Sequence, residues 1–148
     1  MRDVLRRFSM DDIATYEHWF SDGETARRVA APDAVWRGHA LHGPLCECWA
    51  LDEEEILAAM LQAEWSDEQR RHAFVAVVVD PARRGRGLGT RILKAYLASV
   101  PGASVEARVE PDNLPSLALV RRCGFRSFLE VVGQDGLLPF LHERARMP

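Results

Sequence analysis

The run VVVDPARRGRGLGTRIL, Val77–Leu93, holds the densest chemistry in the chain. Arg83, Arg84 and Arg86 are interleaved with Gly85, Gly87 and Gly89, between an apolar strand-like segment and a helix-like one. A tight loop at such a junction turns backbone N–H groups outward. The helix that follows adds the positive end of its dipole. Together they form an anion site without needing a charged side chain. Glycines let a phosphate approach the backbone, and arginines bring longer-reach charge for further phosphates. The chemistry expected is therefore polyphosphate binding.

Two well-known phosphate loops do not fit. No G-x-x-x-x-G-K-[ST] is present, so a P-loop is excluded. The dinucleotide fingerprint G-x-G-x-x-G is replaced by G-x-G-x-G, although Glu106 lies near the distance of a ribose-binding acid. One visible βαβ crossover is fewer than a dinucleotide fold needs. A second cluster, His39, His42, Cys46 and Cys48, reads H-x2-H-x3-C-x-C and is composed of metal-ligating types. Its spacing is not that of a zinc finger, and C-x-C on a strand puts both thiols on one face. The expectation is half-buried cysteines and no bound metal.

Several elements must position the loop. HAFVAVVVD, residues 72–80, is the clearest strand, and its unbroken apolar run predicts burial on both faces. From Leu88, the residues Ile92, Leu93, Tyr96, Leu97 and Val100 form a helical stripe. SVEARV then alternates as a second strand, so the unit is a parallel, right-handed βαβ crossover. NLPSLALVRRCGF reads as a short helix capped by Asn113, with Pro115 in its first turn and Gly124 at its end. Upstream, VLRRF is a short strand, and Ser9 with Asp11 and Asp12 suits a helix start. Ile13, Tyr16 and Phe20 share that helix's inner face. Residues 21–44 read as loop or irregular helix, LCECWALD as a strand, and DEEE as a turn. ILAAMLQAEW has helical composition and spacing, yet lies where a hairpin partner would fit. FRSFLEVV, GQDG and LLPFLHER form a terminal hairpin.

At 148 residues, 47% hydrophobic and 28% charged, the chain suits a single domain, 1–148, with one core. A net charge of -3 and no basic stripe argue against nucleic acid and anionic membranes as partners. The N-terminus MRDVLRRFSMDD lacks a secretory apolar stretch and no apolar run spans a bilayer, so a cytoplasmic protein is expected. The three cysteines do not suggest a disulfide scaffold.

Two motifs in order, Arg84–Gly87–Gly89 as R-x-x-G-x-G after VVVDP, and VEPDNLPSLALVRRCGF, resemble the GNAT superfamily of N-acetyltransferases. The first resembles its pyrophosphate loop. The second resembles the later strand, asparagine, short helix and Gly-Phe. The resemblance implies an α+β fold with a mixed, mostly antiparallel sheet of six to seven strands and about four helices. Two central parallel strands, HAFVAVVVD and SVEARV, would splay around acetyl-CoA. It also makes ILAAMLQAEW a strand, and tertiary context takes precedence over propensity there.

By position, the resemblance gives Val77, Val78 and Val79 to the pantetheine arm, with the Val77 N–H polarising the acetyl carbonyl. It gives Arg84, Gly85, Arg86, Gly87, Leu88, Gly89 and Thr90 to the pyrophosphate, and Asn113 and Ser116 to the thiol end. Arg121 or Arg122 would lie within reach of the phosphorylated ribose. The activity implied is direct acetyl transfer from acetyl-CoA to a primary amine, on a small molecule or a peptide. A homodimer is compatible with it. The alternative is an acyl-CoA-binding domain with little or no activity, because two family positions differ. The usual tyrosine is Val120, and the usual carboxylate at the start of the splayed strand is Ala73, with His72 facing the other way. Glu106 and Glu110 are the replacement base candidates, with Glu64 behind them. Cys123 is expected in the core, as is Trp19. Asp22, Glu24 and Trp36 lie in the segment that covers the acceptor in this family.

Overall fold

The computed structural model describes residues 4–128 and 133–143. Among the described residues, seven strands form one sheet in the order β1-β2-β3-β4-β5-β7-β6. They are β1 (Arg6–Arg7), β2 (Cys46–Glu53), β3 (Ile56–Trp65), β4 (His72–Val79), β5 (Ser104–Val109), β6 (Arg126–Ser127) and β7 (Leu138–His142). Among the described residues, β4 and β5 pair in parallel and the other neighbouring strands are antiparallel. Among the described residues there are five α-helices: α1 (Ile13–Trp19), α2 (Gly23–Arg28), α3 (Ala34–His42), α4 (Leu88–Ser99) and α5 (Leu114–Arg122). The expected α+β architecture is present. No helix among the described residues is long and apolar enough to cross a membrane.

ILAAMLQAEW is strand β3, as the family pattern required and propensity did not. Its helix-like spacing arises because Leu57 to Leu61 are all buried, on both faces of a central strand. Leu61 and Ala63 face α4 and α5, while Leu57 and Met60 face α1 and α3. The turn before it, Glu54 and Glu55, has φ of 54° and 66°. Two successive left-handed residues suit a two-residue hairpin, but glutamates carry no hairpin signal in sequence. Residues 21–44, read as loop or short irregular helix, hold two short regular helices, α2 and α3. Asp22 and Asp33 start them, accepting from the N–H groups of Thr25 and Trp36.

Helix α4 buries the predicted stripe against one face of the sheet: Leu88, Ile92, Leu93 and Tyr96 are each at most 2% exposed. Each of the three aliphatic side chains contributes about 1.5–3 kcal/mol of transfer free energy. On the opposite face, Tyr16 stacks on Trp36 at 5.0 Å and meets Phe8 and Trp19 edge-on. Trp19 is in the core, as expected. The terminal hairpin is seen in part: β6 pairs with β7, Gly136 has φ 80°, and residues 129–132 and 144–148 lie outside the described residues.

Candidate active site

The register between β4 and β5 is short. His72 pairs with Ser104, Ala73 with Val105 and Phe74 with Glu106, and pairing ends there although both strands continue. On its other edge β4 stays paired with β3 out to Ala59 and Val79. The bonds Asp80 N–H to Ala58 O and Ser66 N–H to His72 O fix the alternation of that ladder. Even-numbered β4 residues bond β3, so the peptide groups of Val77 and Val79 point toward the diverging β5. The two strands therefore form a fork whose inner edge is main chain.

This changes one sequence expectation. The apolar run in β4 is not buried throughout. Ala73 and Val78 are buried, Val75, Val77 and Val79 are half-buried, and Ala76 is exposed. A central strand with an apolar sequence and an open edge suits a slender ligand that takes the place of a neighbouring strand.

At the wide end of the fork the chain passes from Asp80 through a short 3-10 turn, Pro81–Arg83, into α4. Asp80 accepts from the N–H of Ala82 and fixes that turn. Gly85 and Gly87 have φ of 79° and 75°, and a Cβ at either would meet nothing within 4 Å. The left-handed backbone, rather than crowding, requires glycine there. Gly87 is also the residue just before α4, and among the described residues no side chain caps the N–H groups of that helix's first turn. Gly89 differs. Its Cβ would lie 3.3 Å from Leu119 and 3.6 Å from Val79, so it allows close packing of α4 on α5 and β4.

The arginines are placed differently from the sequence expectation. Arg83 and Arg86 reach Glu53 Oε1 at 2.7 and 2.8 Å, and Arg84 reaches Asp22 Oδ2 at 2.7 Å and Thr25 Oγ1 at 3.1 Å. Their side chains tie the loop to the β2–β3 hairpin and to the start of α2. Each of the three guanidinium groups is therefore engaged with a carboxylate. Arg122 donates to Thr90 Oγ1 in the first turn of α4, and Arg121 lies over the ring of Phe140.

The Asp22 tie carries a pH prediction. The Arg84 guanidinium, and after it the Thr25 N–H, hold the Asp22 carboxyl down at about 2. The ordinary value is about 3.9, so the folded-state value is depressed. The stabilisation is complete above about pH 4 and is lost as pH falls through about 2. Carboxyl NMR titration of Arg84→Ala should show the Asp22 midpoint returning toward the ordinary range. An unchanged midpoint would contradict the assignment.

Glu106 stands at the apex of the fork and is 7% exposed. His72 Nε2 lies 3.1 Å from its Oε1, and Arg108 Nε donates to its Oε2 at 2.8 Å. His72, Phe74, Glu106 and Arg108 share one face, the face covered by α1 to α3. Arg108 also lies over the Phe74 ring at 5.2 Å. Glu110 is not with them: it pairs with Arg28 of α2 at 3.0 Å, as Asp112 does at 2.8 Å. These bonds draw the end of β5 to α2. Asn113 caps α5, its Oδ1 accepting from the Ser116 N–H at 3.4 Å.

Val120 is buried in the core and offers no proton. Cys123 is buried beside it, and burial pushes its thiol above the ordinary range. Ala73 is fully buried, and His72 does face the opposite side, as expected. Glu64 accepts from Gln62 Nε2 at 2.9 Å and lies 2.5 Å from His39 Nε2. Gln62 in turn accepts from Trp36 Nε1 at 2.9 Å. This Trp36–Gln62–Glu64–His39 chain, and the role of Glu53, escaped sequence reasoning. Polar residues from three distant elements give no local pattern.

The model of the acetyltransferase (GNAT) family matches residues 13–125. The N-alpha-acetyltransferase RimI of Mycobacterium tuberculosis is 41% identical over 63 residues, covering 38% of this chain and 40% of that protein. The uncharacterized N-acetyltransferase YfmK of Bacillus subtilis is 25% identical over 88% of this chain and 89% of its own. A mycothiol acetyltransferase of Clavibacter sepedonicus is 33% identical over 83% of this chain, which spans 42% of that longer protein. Among solved structures, the aminoglycoside acetyltransferase AAC(6')-Ib in complex with coenzyme A and kanamycin superposes with a TM-score of 0.80. It is 16% identical, over 95% of this chain and 94% of that one. A spermidine N-acetyltransferase SpeG chimera superposes with a TM-score of 0.78 at 12% identity, over 95% of each chain.

Proposed function

Because the chain belongs to the acetyltransferase (GNAT) family, we propose that it transfers an acetyl group from acetyl-CoA to a primary amine, by direct attack in a ternary complex. The observation that carries this reading is the fork. β4 and β5 part after Phe74 and Glu106, the Val77 and Val79 peptide groups line the opening, and the start of α4 lies at its mouth. Acetyl-CoA supplies the thioester.

The residues divide the work by what each can donate or accept. The amides from Arg84 to Thr90 hold the diphosphate, with Gly85 and Gly87 permitting their shape. Val77 and Val79 pair with the two amides of the pantetheine arm as an added strand would, with Val78 buried between them on the opposite face. The Val77 N–H faces the fork and is the donor for charge that develops on the acetyl oxygen. Asn113 and Ser116 border the thiol end from the start of α5.

The acceptor amine is protonated at neutral pH and must lose a proton to attack. Glu106 is the base, taking that proton directly or through one water, because it is the carboxylate at the apex. His72 and Arg108 hold its two oxygens in place. Glu110, engaged with Arg28, is the weaker candidate. With Val120 in the usual tyrosine position, the departing thiolate takes its proton from solvent. Thiolate is a fair leaving group, which makes a dedicated acid dispensable.

A small amine or a peptide N-terminus fits this reading. The test is a thiol-release screen with acetyl-CoA and a panel of polyamines, aminoglycosides, amino acids and peptide N-termini, run beside calorimetric titration with CoA. Binding together with acceptor-dependent thiol release supports it. CoA binding with no release across the panel favours a non-catalytic acyl-CoA-binding domain, the reading to which the buried Val120 points.

A further inference from the structure

We propose that His39 Nε2, Cys46 Sγ and Glu64 Oε1 form a binding site for one borderline-soft divalent cation, Zn2+ by preference, with a fourth position open to solvent. One donor atom from each of the three residues lies within 4.8 Å of the other two, and His39 Nε2 and Glu64 Oε1 are 2.5 Å apart. They come from α3, β2 and β3, and Cys46 and Glu64 are direct cross-strand partners on one face of the sheet. Cysteine sulfur, imidazole nitrogen and carboxylate oxygen together are a zinc donor set, whereas magnesium and calcium take all-oxygen shells.

The sequence suggested a different set, His39, His42, Cys46 and Cys48, and an expectation that nothing is bound. Neither His42 nor Cys48 joins the cluster the structure assembles; Glu64 replaces them, carried in from a neighbouring strand.

The neighbours of Glu64 hold its carboxylate in place. Gln62 donates to Glu64 Oε1 and is held by Trp36 Nε1, so the carboxylate is oriented from behind. Cys46 is 3% exposed, whereas the His39 side chain is 47% exposed. A thiol at the floor and an imidazole at the rim give the ion an entry path from solvent. Tetrahedral ligation spaces nitrogen, oxygen and sulfur donors about 3.3–3.6 Å apart. His39 and Glu64, now 2.5 Å apart, would separate by about 1 Å as their hydrogen bond gives way to two bonds to the metal. Ligation takes Cys46 as thiolate and His39 through a bare Nε2, so the Cys46 proton goes to solvent, while the proton of the His39–Glu64 hydrogen bond moves through solvent to Nδ1 or, where Nδ1 already carries one, to solvent as well.

Three protein ligands with an open fourth position accept a water or an amine. Glu64 pairs with Phe74, and Phe74 with Glu106, so the site lies two strands from Glu106, about 10 Å away on the same face. An ion there would border the space above the fork.

Titration with Co2+, followed by absorption, tests the site without any assay of activity. The wild-type protein should bind one equivalent and show a near-ultraviolet thiolate-to-cobalt band, displaced by Zn2+ in stoichiometric amounts. Cys46→Ser should abolish the band. His39→Gln, a change at the exposed rim that leaves the core alone, should weaken Co2+ binding by ~100-fold or more. Folding of each variant is checked by circular dichroism and melting temperature. Failure of the folded wild type to bind Co2+ or Zn2+ would overturn the proposal, as would an undiminished band in Cys46→Ser or unchanged affinity in His39→Gln.

Discussion

Gly87→Glu is expected to weaken CoA binding by ~1000-fold in a protein that still folds. Gly87 has φ 75° and a Cβ there meets nothing within 4 Å, so the new side chain projects into open space beside the start of α4, where the diphosphate is proposed to sit. A carboxylate about 4 Å from a phosphate at an effective dielectric near 20 costs about 4 kcal/mol per charge pair, hence the factor of ~1000. The left-handed backbone adds a folding cost of about 1–2 kcal/mol, shared by any non-glycine residue. Gly87→Ala separates the two effects: it carries the backbone cost without the charge, and its CoA affinity should stay within tenfold of wild type. Calorimetry at a fixed ionic strength reads both variants. An unchanged CoA dissociation constant in folded Gly87→Glu would remove the loop from the binding site.

Glu106→Gln is expected to lower kcat by ~10²–10⁴ while CoA affinity is retained. The substitution keeps size and removes only the proton-accepting charge. His72 and Arg108 are 28% and 49% exposed in their side chains, so water can solvate them once the carboxylate is gone. The deficit should shrink as pH rises toward the pKa of the acceptor, because more of the amine is then already neutral. A merely structural role would give a pH-independent loss with a lowered melting temperature. A folded variant whose kcat stays within threefold of wild type at neutral pH would sink the assignment and turn attention to Glu110.

Much of the fold was legible because local chemistry and tertiary packing agree. The α4 stripe, the Asn113 cap, Gly124 with its φ of 88° and the short α5 are all satisfied within one turn or one helix face. The two glycine-bearing motifs were legible for the same reason. A left-handed backbone restricts residue type wherever it occurs, so Gly85 and Gly87 mark the loop before its neighbours are known.

Other features disagree with local chemistry, and there the packing decides. β3 reads as a helix because a strand covered on both faces need not alternate. The turn before it uses Glu54 and Glu55 at positive φ, which the hairpin's register imposes and which no turn-forming residue advertises. The loop arginines look committed to phosphate until Glu53 and Asp22 arrive from β2 and the start of α2.

The amino-acid sequence by itself determined the glycine-rich loop, the βαβ unit around it and the family resemblance. Each of these is carried by contiguous motifs whose residue types and local periodicity mark them without reference to distant partners. Only the tertiary structure decided where β4 and β5 part, that Glu106 rather than Glu110 stands at that point, and that His39, Cys46 and Glu64 meet. The physical reason is that strand register and cross-sheet neighbours are set by the packing of whole elements. A side chain's partner 25 or 34 residues away leaves no periodic trace in the chain that carries it.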